Sequence, residues 1–221
     1  MISFESSKLS STNPIYVTTL VLGIVLSIAA MHHGFFEILQ GNKSTNSLII
    51  QSISPEYQRW ENGEEAFTLI PNFLFSGIST ILMSTFIIIY SFLFLKNKYG
   101  VLLFFVLFIL LTLVGGGIAH FLFFSICCLY AAKMNKPLPF WNKVFRNNIG
   151  LFLSKVWPIA LIITSTSFLI ALEVSIFGLP FTKDKNTILY TCWSILLFSF
   201  IFMNIAFVTS FAKKVIIQSE K

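Results

Sequence analysis

The sequence predicts an all-α fold, a polytopic helical membrane bundle of about five full spans, and three observations lead there. Of its 221 residues, 56% are apolar and only 11% charged, and the mean hydropathy is +0.83. A soluble chain carries about a quarter charged residues. Several apolar runs exceed the roughly 18 residues that a membrane span needs. One of them, 101–132, is too long for a single crossing and holds Gly115, Gly116 and Gly117 at its centre. Together these exclude a disordered chain, a collagen-like fibre, a disulfide scaffold and a cytosolic Rossmann-type enzyme.

The elements follow in order. Residues 1–14 form a polar N-terminal tail closed by Pro14, and residues 15–36 give 22 positions without a Lys, Arg, Asp or Glu. At about 1.5 Å per residue this covers the hydrocarbon. Ser27 and Ala29 loosely match a signal cleavage pattern, but the apolar run exceeds the usual ~7–15 residues of such a segment, so a retained first helix is expected. The second run, 66–95, has Pro71 and Asn72 near its start and is stopped by Lys96 and Lys98. Its Ser76, Thr80 and Ser84 recur every four residues, placing small side chains on one face where a neighbouring helix can approach closely.

The run 101–132 holds 32 residues. As one helix it would measure about 48 Å against a hydrocarbon core of about 30 Å. A straight pass would need a tilt near ~50°, outside the ordinary range of about 0–40°. Each glycine costs about 1 kcal/mol relative to Ala inside a helix, so the triplet predicts a break. The halves 101–114 and 118–132 would each reach only ~21–22 Å, which suits a re-entrant hairpin or a short sixth span. Broken backbone persists at membrane depth only where protein or a wet cavity satisfies it.

The remaining spans are 157–178 and 188–212, completing a single transmembrane domain over 15–212, with a basic C-terminal tail at 213–221. Between the third and fourth spans, in segment 133–156, Phe140, Trp141, Val144, Phe145 and Phe152 alternate with Lys143, Arg146 and Asn147 near helical spacing. That pattern predicts an interfacial amphipathic helix on the cytoplasmic side.

Charge sets the orientation. The net charge is +6, which in a membrane chain reflects the gathering of Lys and Arg on cytoplasmic loops rather than nucleic-acid binding. With 101–132 crossing twice and both termini cytoplasmic, 11 basic residues fall inside and 4 outside; a single crossing gives 10 against 5. The titratable residues favour two crossings, because these bring His32, His33, Glu37, Glu64, Glu65, Asn72, His120 and Glu173 to one side. Twenty-six Phe, with Lys far outnumbering Arg, match the residue usage of an AT-rich genome, and the plasma membrane of a low-GC bacterium is the expected location. Cys127, Cys128 and Cys192 lack zinc-ligand spacing and lie in apolar runs, so packing is their expected role.

The outer loop 41–63 carries Leu48, Ile49, Ile50 and Ile53 ahead of Ser54 and Pro55. Ser then Pro starts a helix well, and so much aliphatic surface predicts a lid over the outer mouth. The sequon at Asn42, Lys43 and Ser44 is short enough to arise by chance.

His33 and Glu37, four residues apart, share a helical face. With His120 they offer two imidazoles and a carboxylate, the donor set of many catalytic zinc sites. Glu173, Glu64 or Glu65 could then act as general base on a metal-bound water. The same groups suit a proton path in a broken-helix transporter, although the sequence displays no inverted repeat. The glycine triplet is no phosphate loop, because no Gly-Lys-Ser or Gly-Lys-Thr follows it. Ordinary structural roles compete at every position: loop hydrogen bonds for His32 and His33, the helix dipole for Glu64 and Glu65, close packing for the glycines, and interhelical bonding for 164–167. The expected activity is small-solute or proton-linked transport through an outer-leaflet polar pocket. A divalent-metal-dependent membrane hydrolase and a non-catalytic assembly subunit are the alternatives, and the bilayer, a small solute and protons are the expected partners.

Overall fold

In the computed structural model, which describes residues 13–53 and 65–219, asparagines start three of the long helices. Asn13 caps α1 (Pro14–Leu39), Asn72 caps α2 (Phe73–Leu93) and Asn147 caps α6 (Asn148–Phe177), each side-chain oxygen accepting a first-turn backbone N–H. An Asn there satisfies a donor that would otherwise be orphaned in a low-dielectric setting. With α7 (Lys185–Ser219), these are four helices long and apolar enough to cross a membrane.

The run 101–132 is broken at the glycines, as their helix cost predicts. Helix α3 (Gly100–Leu113) ends before them and α4 (His120–Ala131) starts after them. The two form a hairpin. Phe108 and Phe124 stack across it with centroids 5.0 Å apart, and the Asn135 side chain donates to the Lys96 carbonyl at 3.0 Å, joining the two open ends.

The apex of the hairpin meets a small sheet that the hydropathy pattern does not announce. Strands β1 (Ile49–Gln51) and β2 (Glu65–Phe67) pair antiparallel, Ile50 opposite Ala66. Beyond β2 the chain continues onto the broken segment: Thr68 bridges Val114, and Leu69 N–H donates to Leu113 O at 2.8 Å. Ser76 and Thr80 hydroxyls then donate to Val114 O at 2.9 and 2.7 Å. The Leu113 and Val114 carbonyls that open the break are thereby satisfied by protein, as backbone at membrane depth requires.

Helices α1 and α2 cross at Gly34 and Gly77. A Cβ on Gly34 would lie 2.8 Å from the Gly77 carbonyl oxygen, so only glycine permits this approach. Ser76, Thr80 and Ser84 are all fully buried, in keeping with the expected inward face. Elsewhere, side chains tie the helices in pairs: Trp157 Nε1 donates to Thr18 Oγ1, Tyr130 OH to Asn204 Oδ1, and Ser199 Oγ to Thr164 O, at 2.8, 2.8 and 3.0 Å. The three cysteines are buried.

Two boundaries differ from the hydropathy reading. The segment 133–156 resolves into a short helix, α5 (Pro139–Phe145), and the first turns of α6, because Asn147 caps a new helix there. Trp141 stacks on Phe145 and packs against Phe211 of α7. The expected tail at 213–221 is helical as far as Ser219. Lysine ends an apolar count but is a good helix former, and Lys214 Nζ donates to the carbonyls of Met134 and Lys136.

Charge is unevenly distributed along the bundle, although Lys43, Lys183 and Lys185 lie at the end that holds the acids. Asn13 and Lys214 both bond to Met134 O, so the start of α1, the α4–α5 turn and the last turns of α7 share one end. Every described Lys and Arg from Lys96 to Lys155, together with Lys213 and Lys214, lies toward that end. The described acids, Glu37, Glu65, Glu173 and Asp184, all lie toward the other.

Candidate functional site

The site is built where the end of α1 passes the glycine break. Helical spacing puts His33 and Glu37 on the inward face of α1, and they are 3% and 0% exposed. The break brings His120, the first residue of α4 and also 3% exposed, against them. The imidazoles of His33 and His120 meet edge to face with centroids 5.4 Å apart. His120 also rests on the Phe168 ring of α6, at 5.7 Å.

The glycines are the floor on which these groups converge. Gly115 and Gly117 have φ of +123° and +83°, conformations that side chains disfavour. A Cβ on Gly115 would sit 2.7 Å from both Glu37 carboxylate oxygens and from Thr80 Oγ1. On Gly117 it would sit 2.6 Å from His120 Nδ1 and 2.8 Å from His33 Nε2. The missing side chains are what let three titratable groups approach one stretch of backbone.

The loop that follows α1 packs back against the site. His33 Nδ1 and Ser52 Oγ share a hydrogen bond of 2.9 Å. Gln40 Nε2 straps the same segment by donating to the carbonyls of Gln51 and Ser52, at 2.9 and 2.8 Å. Ile50 and Ile53 turn inward and are 4% and 2% exposed, whereas Leu48 and Ile49 face outward. The helix start expected at Ser54 and Pro55 lies outside the described residues, as does Glu64.

Ser52 and Ser76 flank the Glu37 carboxylate, yet among the described residues no hydrogen bond of ordinary geometry reaches either of its oxygens. Two further buried hydroxyls, Ser27 on α1 and Ser84 on α2, also make none. They lie two helical turns from Gly34 and Gly77, toward the basic end. A buried polar group without a hydrogen bond costs free energy, so their placement between α1 and α2 calls for an explanation beyond packing.

The other expected site residues stand apart. His32 is half-buried, and its Nδ1 lies 3.1 Å from Ile28 O in its own helix. Asn72 is the α2 cap, and its amide donates to Asn42 Oδ1 at 2.7 Å. Glu65 is exposed in β2. Glu173 is exposed as well, and here the sequence expectation is corrected. Five residues beyond Phe168, at about 100° per residue, it points roughly 140° away from the ring that touches His120.

The expected zinc set of His33, Glu37 and His120 is not assembled. Among the described residues no three His, Cys, Asp or Glu side chains close to metal-binding geometry. Glu37 approaches Gly115, and the imidazoles approach Gly117. Sequence reasoning missed Ser52, Gln40 and Thr80 as partners of the site. Thr80 had a signal in its four-residue spacing with Ser76 and Ser84; Ser52 and Gln40 had none. Comparison of the chain with protein families, with curated proteins and with solved structures gives no match.

Proposed function

We propose that the protein is a proton-linked membrane transporter, moving protons or a small solute through a polar site in the outer half of the bilayer. His33, Glu37 and His120 take up and release the proton, with 41–63 as the lid. One observation carries the reading: three titratable side chains converge in a closed interior on the backbone break of a helix hairpin. Ionisable groups within a membrane are costly and by default functional, and a discontinuous segment at depth is the common setting of transport sites. The hydroxyls of Ser27 and Ser84 support a continuation from Glu37 toward the basic end. Lysine and arginine gather on cytoplasmic surfaces, so this reading puts the basic end and both termini in the cytoplasm, in the plasma membrane of a low-GC bacterium.

The test is proton flux into proteoliposomes holding a pH-sensitive dye, driven by a potassium diffusion potential. The wild-type protein is expected to exceed empty liposomes, and Glu37→Gln and His120→Ala to reduce the rate at least tenfold while remaining folded. Flux equal in all three, or none above empty liposomes in any buffer or at either polarity, overturns the reading. Stoichiometric zinc, lost on combining His33→Ala with His120→Ala, would identify a metal-dependent hydrolase instead.

A further inference from the structure

At the basic end, away from the histidines, the open mouth of the α3–α4 hairpin forms a cavity of about 480 Å³. Its rim is polar, with Asn97, Lys98, Asn135 and Lys136, and its floor is apolar, with Phe105 and Leu129 among the lining residues. The walls are fixed. Asn135 bonds to Lys96 O across the mouth, and Lys214 holds the turn through the carbonyls of Met134 and Lys136.

The neighbouring cations are already engaged: Lys96 Nζ sits 4.1 Å over the Tyr16 ring, and Lys214 is bound to backbone. The ammonium of Lys98 rests 5.2 Å from the Tyr99 centroid, and Lys98 and Lys136 are both exposed beside the cavity. No acidic residue among those described lies at this end to neutralise them.

We infer that this cavity binds an anionic phospholipid of the surrounding leaflet, its phosphodiester between Lys98 and Lys136 and an acyl chain laid between α3 and α4. Two features choose this occupant. The change from cationic rim to apolar floor runs in the same direction as the change from headgroup to chain in a bilayer, and a soluble anion would have no use for the floor. The positive charge, unopposed among the described residues, favours a lipid of net negative charge over a zwitterion, whose ammonium the same lysines repel. Basic pockets between helices on the cytoplasmic side are a recurrent form of lipid recognition.

The experiment is native mass spectrometry of the full chain released from nanodiscs of equal phosphatidylglycerol and phosphatidylcholine. The wild-type protein is expected to retain one phosphatidylglycerol in preference to phosphatidylcholine. Lys98→Gln with Lys136→Gln should lower that retention about twenty- to thirtyfold, from roughly a fivefold loss per lysine near the surface. Ser125→Phe, which fills the floor and leaves the charge, should also lose it, whereas Lys143→Gln with Lys155→Gln should keep it. Equal retention of both lipids by the wild-type protein, or equal loss in the Lys143 and Lys155 control, overturns the assignment.

Discussion

Replacing Gly117 by Ala tests whether the glycine triplet positions the imidazoles. At φ +83° the new side chain meets left-handed strain of about 1–2 kcal/mol. Its Cβ would lie 2.6 Å from His120 Nδ1 and 2.8 Å from His33 Nε2, inside contact distance, and overpacking a filled interior costs a further ~1–3 kcal/mol. The expected destabilisation is therefore about 2–5 kcal/mol. Gly41→Ala supplies the control, because at φ +79° it meets nothing within 4 Å and should cost the strain alone, about 1–2 kcal/mol. Reversible unfolding in mixed micelles measures both. Adding His120→Ala to Gly117→Ala removes one side of the clash, so the double variant should be more stable than the sum of the single changes by roughly 0.5–3 kcal/mol. The reasoning is refuted if Gly117→Ala costs no more than Gly41→Ala, or if its effect adds to that of His120→Ala without coupling.

Three other outcomes are expected. Ser52→Ala removes the loop's hydrogen bond to His33 and should cost about 1 kcal/mol, read as faster amide exchange over 49–53 with the rest of the bundle unchanged. Single cysteines at Ser44 and Asn142 should be labelled from opposite sides of the membrane, since they sit at opposite ends of the bundle; labelling from one side would overturn the topology. The Asp184 carboxyl is held below its usual value by the Thr187 hydroxyl and N–H, to which it is bonded at the start of α7. A depressed carboxylate stabilises above its unfolded value near ~3.9 and loses that contribution as pH falls through the lower folded value. Amide protection of the first turn of α7 should therefore decline in acid, and Asp184→Asn should abolish the pH dependence.

What the sequence revealed, and what it hid, follows from the range of each signal. The hairpin break was legible because helix cost is local and three adjacent glycines multiply it. The pairing of His33 with Glu37 needed only helical spacing, and His120 joined them once the chain turned back. Glu173 was misplaced because depth in the membrane can be read from sequence whereas rotation about a helix axis cannot: Leu172, Val174 and Ser175 are buried on either side of it. The sheet was invisible because strands of three residues show no alternation and pair through backbone. Ser52 acquires its role only by reaching His33 across 19 positions of chain. For the zinc set, residue types and depth agree, yet among the described residues no three donors come together, and side-chain distances of that kind are beyond what spacing can specify.

The satisfaction of Val114 by Ser76 and Thr80 also constrains biogenesis. Neither α3 nor α4 is long enough to be held in the bilayer as an independent span, and among the described residues the carbonyl at their apex takes its donors from α2. Synthesis from the N-terminus delivers α2 to the membrane first, so its hydroxyls stand ready when the nascent hairpin arrives. Moving α2 behind the hairpin in the gene, by circular permutation, would leave that apex in lipid without a partner until translation ended, and such a chain should insert poorly and be degraded despite an unchanged composition.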